Sequence, residues 1–184
     1  ASIDEKGVRQ LHQLLGSPLH SLVLHQTSVM VQGSHHVLSP SFSLRTQSGD
    51  YVVVENKRGD TPGGWHYGQL LIRSTPNPPG IDQIQDSTKA NSLTMNPFQG
   101  IPPVQQIDIF ERVIASEGSS GPSYGSEHVR YDAAIVFRRE DHSAFRLSPE
   151  DGPVGLVEFC QLWSDIRHIS AHLKRRVMIT EDGV

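Results

Sequence analysis

Between Val129 and Phe137 every second residue is apolar: Val129, Tyr131, Ala133, Ile135 and Phe137 alternate with His128, Arg130, Asp132, Ala134, Val136 and Arg138. A period of two is what a half-buried strand requires, because successive side chains leave a pleated backbone on opposite faces. The polar break Arg139-Glu140-Asp141-His142 then leads into Ala144-Phe145-Arg146-Leu147, and Ser148-Pro149-Glu150-Asp151-Gly152-Pro153 ends the run. This is the pattern of a β-hairpin. Ninety residues earlier Phe42 and Leu44, a turn at Ser48-Gly49-Asp50, the run Tyr51–Asn56 and a stop at Gly59-Asp60-Thr61-Pro62 repeat the arrangement. Two loosely repeated β-rich halves are expected.

Other segments complete the expected order. Val8, Leu11, Leu14 and Leu15 have helical spacing from Asp4 to Leu15, and Gly16 and Pro18 stop the run. Leu19–His25, Thr27–Gln32, Ser41–Thr46 and His66–Arg73 read as strands. Val52-Val53-Val54, apolar on both faces, reads as a central strand. Arg58–Gly64 reads as a loop, and so does the polar stretch after Pro76. Val104–Ala115 reads as a strand with a bulge where Ile109-Phe110 breaks alternation. Phe159, Leu162, Ile166, Ile169 and Leu173 step by three and four, the stripe of a C-terminal helix whose last turn carries Lys174-Arg175-Arg176. A strand over Leu156–Leu162 followed by a shorter helix is the alternative, with Val177-Met178-Ile179 a last strand. Strands in runs, with a helix at each end, give an expected α+β class with mostly antiparallel sheet. The expected organisation is an N-terminal half (1–80), an irregular connection (81–103) and a C-terminal half (104–184), packed as one unit.

Charge and composition narrow the function classes. The chain of 184 residues has a net charge of −4 and a pI near 6.2. That balance disfavours nucleic acid as a partner, since such affinity rests on neutralising phosphates. The single cysteine, Cys160, rules out an internal disulfide and a cysteine-rich zinc module. No apolar run reaches membrane-spanning length, so a soluble cytoplasmic protein is expected. The chain opens at Ala1 without methionine, which leaves room for a removed leader.

Several short patterns invite a chemical reading. Glu55-Asn56-Lys57 closes an apolar strand and resembles the Glu-x-Lys signature of the PD-(D/E)xK metal-dependent nucleases. The resemblance implies Mg²⁺ held by Glu55 while Lys57 positions or activates water. The family's upstream acidic partner has no counterpart between Lys6 and Gly49, and Asp50 is the nearest substitute. Gly121-Pro122-Ser123-Tyr124-Gly125 spells a nucleophile-elbow string, but no strand enters it and no helix leaves it. His168 and His172, four apart on the expected helix, are weak candidates for a metal. Arg58-Gly59-Asp60 spells an adhesion tripeptide that a turn explains equally well. No glycine loop opens a helix, so no nucleotide cofactor is expected, nor any other.

Trp65, His66 and Tyr67 remain, an amphipathic aromatic cluster following two glycines. Aromatics at a loop edge make interface anchors because they bury much area at small entropic cost. The reading is a non-enzymatic protein-binding module, of the size and charge of an immunity or antitoxin-like protein or an accessory subunit. It would engage a protein partner or its own copy through Trp65, His66 and Tyr67. The alternative is a metal-dependent hydrolase or nuclease using Glu55 and Lys57.

Overall fold

The structure is a computed structural model. It describes residues 2–17, 22–24, 29–30, 36–61, 66–77, 94–95, 102–116, 127–149, 155–162 and 173–183. Among the described residues it is mostly β, with two antiparallel sheets and one helix, which corrects the balanced α+β class. The helix α1 (Glu5–His12) is the expected N-terminal one. Asp4 caps it, its Oδ1 accepting from the Gly7 N–H at 2.7 Å. Glu5 lies in the first turn, with Arg9 and His12 in the last, in favour of the helix dipole.

The smaller sheet contains β1 (Leu22–Leu24), β4 (Ser41–Arg45), β5 (Tyr51–Asp60), β6 (His66–Thr75) and β7 (Thr94–Met95), ordered β6-β5-β4-β1-β7. The larger contains β2 (Val29–Met30), β3 (His36–Ser39), β8 (Val104–Ser116), β9 (Glu127–Arg139), β10 (Ala144–Pro149), β11 (Val157–Leu162) and β12 (Lys174–Thr180). Its order is β12-β8-β9-β10-β11-β3-β2. The halves therefore do not each own a sheet: β2 and β3 sit at the far side of the large sheet, where His36–Ser39 pairs with Cys160–Val157. The chain changes sheets at Ser39-Pro40-Ser41, a corner fixed by the Ser39 hydroxyl donating to the Ser41 carbonyl at 2.6 Å.

The two expected hairpins are present, Ser41–Arg45 pairing with Tyr51–Glu55 and Ile135–Arg138 with Ala144–Leu147. β5 runs on through Asp60, so Arg58–Asp60 is strand and not loop. Val52, Val53 and Val54 are fully buried in this central strand. The expected C-terminal helix is corrected where the structure describes it. Phe159 lies in β11 and packs in the core, and Lys174-Arg175-Arg176 opens β12 instead of closing a helix. Residues 163–172 of that stripe lie outside the described residues. The physical reason for the error is that Phe159 and Leu162 satisfy helical spacing, while Val157 and Phe159, both buried, also satisfy strand alternation.

One apolar core fills the space between the sheets. Phe42, Leu44, Val52, Val54 and Leu70 come from the small sheet, and Ile107, Ile109, Ile135, Phe137, Phe145, Leu147 and Phe159 from the large. Phe137 stacks on Phe145 with centroids 4.5 Å apart, Phe145 meets Phe159 at 5.6 Å, and Phe159 reaches Phe42 across the gap at 6.0 Å. Helix α1 adds Val8 and Leu11 and shields the β6 edge. The Gln10 amide donates to the Ile72 carbonyl at 3.0 Å and accepts from the Ser74 N–H at 3.1 Å. A side chain thus satisfies a strand edge that would otherwise be open to another chain.

Candidate protein-binding surface

His66 and Tyr67 open β6 at the end of the β5–β6 hairpin, opposite Asp60 and Gly59. Alternation sends them to opposite faces. Tyr67 lies over Gly59, where any Cβ would meet its ring at 2.4 Å, and its ring centroid stands 5.6 Å from that of Tyr131 on β9. It therefore ties the hairpin end to the large sheet. His66 is exposed, with Nδ1 2.6 Å from Asp60 Oδ1 and the Arg58 guanidinium 2.7 Å away. The hydrogen bond to His66, then that to Arg58, holds the Asp60 carboxyl below its ordinary value. Trp65 lies outside the described residues.

The residues of the alternative reading are spread along β5. Glu55 Oε1 accepts from Arg73 Nη2 at 2.7 Å and Nε at 3.2 Å. That bond raises the Arg73 guanidinium above its ordinary value despite burial. Lys57 is exposed two residues further on, and Asp50 lies in the turn before the strand. Asp50 and Glu55 are five residue steps apart along extended chain, about 17 Å, so the three groups do not gather. The described residues contain no group of three or more His, Cys, Asp or Glu able to hold a metal. His168, His172 and Gly121–Gly125 lie outside them.

Reading by sequence missed a set of buried charges. Asp108, Glu111 and Asp132 are 0%, 6% and 1% exposed. Glu111 and Asp132 stand directly opposite on β8 and β9, where like charges repel. Two register shifts flank this point. One falls on β9, where Ala133 is skipped between the partners of Phe110 and Glu111; the other falls on β12, between Arg175 and Val177. A bulge re-aims the side chain it carries. Arg176, the extra residue on β12, reaches across β8 and donates Nε to Asp132 Oδ1 at 2.8 Å and Nη2 to Oδ2 at 2.6 Å. The bond to Asp132 raises the Arg176 guanidinium above its ordinary value, with Glu111 adding to it. Asp132 Oδ2 also accepts from the Ile3 N–H at 2.6 Å, and Arg176 donates to the Ile3 carbonyl at 3.2 Å. Asp108 is held in the same way by Arg138 Nε at 2.5 Å and Gln106 Nε2 at 2.8 Å. The sequence signal was an acid interrupting an apolar strand, which alternation assigns to solvent.

Beyond these bulges β8 and β9 continue as a two-stranded ribbon. Pairing of β12 with β8 ends at Glu111, and that of β10 with β9 ends at Ile135. Five further pairs, Arg112↔Tyr131 to Ser116↔Glu127, have only each other as sheet neighbours among the described residues, a length of about 17 Å. Val113, on this ribbon, is 51% exposed. The Tyr67–Tyr131 contact joins the ribbon root to the hairpin end carrying His66. Among the described residues no helix is long and apolar enough to cross a membrane. Compared with known proteins, the chain matches no family model, no curated protein and no solved structure.

Proposed function

We propose that this chain is a non-enzymatic protein-binding module whose contact surface is the β8–β9 ribbon with the adjoining end of the β5–β6 hairpin. The observation that carries the reading is the ribbon itself. An isolated pair of strands is marginal in water, yet five residue pairs continue past both flanking strands with a half-exposed valine on them. A partner covering that ribbon gains apolar area and stabilises the pairing together. Tyr67 fixes the hairpin end against the ribbon root, so His66 and Val113 are presented by connected elements of one rigid scaffold.

The test compares wild type with Val113→Glu and His66→Glu in affinity enrichment from the lysate of the source organism, with cross-linking to locate the contact. The expected result is a protein recovered by wild type, cross-linked to the ribbon or hairpin end and lost in both variants at unchanged thermal stability. Recovery of the same proteins by all three forms overturns the reading. So does metal-dependent hydrolysis abolished by Glu55→Gln.

A further inference from the structure

We draw no further inference here: the strongest candidate, the apolar cluster of Phe110, Ala134, Val136 and Ala144 on the face of the large sheet turned away from the core, carries nothing, because it is already buried and, beyond Leu173, nothing among the described residues shows what covers it.

Discussion

Arg176 and Asp132 lie on strands that are not neighbours, and the guanidinium reaches the carboxylate by passing over β8. The pair exists because β12 and β9 each carry one extra residue at the level of Phe110 and Glu111. It also holds the chain leading into α1, since both partners bond the backbone of Ile3. Three elements distant in sequence therefore meet at two side chains.

Removing one partner leaves the other charge in a site it cannot leave. Arg176→Met is expected to cost about 3–5 kcal/mol, because Asp132 stays buried opposite Glu111. The double variant Asp132→Leu, Arg176→Met is expected to lose less than the sum of the single losses. A residue of about 1–3 kcal/mol should remain, since the Ile3 N–H loses its acceptor. Urea unfolding of the four proteins measures the coupling, and simple additivity contradicts it.

Phe145 stands between Phe137 and Phe159 in the aromatic row that bridges the sheets. Phe145→Ala is expected to destabilise by about 3–5 kcal/mol, the range for emptying a large buried ring. Calorimetry checks the figure. A loss under about 1 kcal/mol would mean the row is not the centre of the core.

Gly68 lies where β6 crosses the end of β10. A Cβ there would stand 2.3 Å from the Pro149 Cβ and 2.9 Å from Asn56 Oδ1. Pro149 is held by its ring, so the strands themselves must move. Gly68→Ala is expected to cost about 1–3 kcal/mol, although alanine suits a strand better than glycine. Chemical unfolding of this single variant decides it; an unchanged midpoint would place β6 farther from β10.

Acid should loosen the hairpin end in a definite window. Asp60 has its carboxyl lowered from 3.8 by His66 and then Arg58. A depressed carboxyl contributes stability that is fully present above its unfolded value and is lost as pH falls through the folded one. His66 and Arg58 should therefore stay tethered at pH 5 and release only below about pH 4. Following the His66 ring and Asp60 carboxyl by NMR titration tests this, with Asp60→Asn abolishing the acid transition. A midpoint above 4 would contradict the arrangement.

Much of this architecture was legible because strand alternation is local. Val129–Phe137 and Val52–Val54 declare themselves within a few residues; the bulge expected on β8 at Ile109-Phe110 falls instead on β9, at Ala133. The pairing of His36–Ser39 with Val157–Cys160 does not declare itself, since nothing local marks two short strands so distant as neighbours. Lys174-Arg175-Arg176 was misread because three successive cations have no period of their own, and helix dipole and strand edge explain them equally. His66 and Tyr67 stood out in the sequence as part of an aromatic cluster at a loop edge, but their division between solvent and Tyr131 depends on the partner strand. The buried acids were invisible for a related reason: Asp132 looks solvent-facing until a bulge on another strand supplies its arginine.

The corner at Ser39-Pro40-Ser41 has a consequence for biosynthesis. As the nascent chain leaves the ribosome, β4, β5 and β6 can zip together at once and β3 can pair with β2, but the other edge of β3 must wait until β11 has been translated, about 120 residues later. During that delay the polypeptide around His36–Ser39 has main-chain groups awaiting their mate. Folding should therefore be slow to complete, and a ribosome stalled before β11 would release a product prone to self-adhesion.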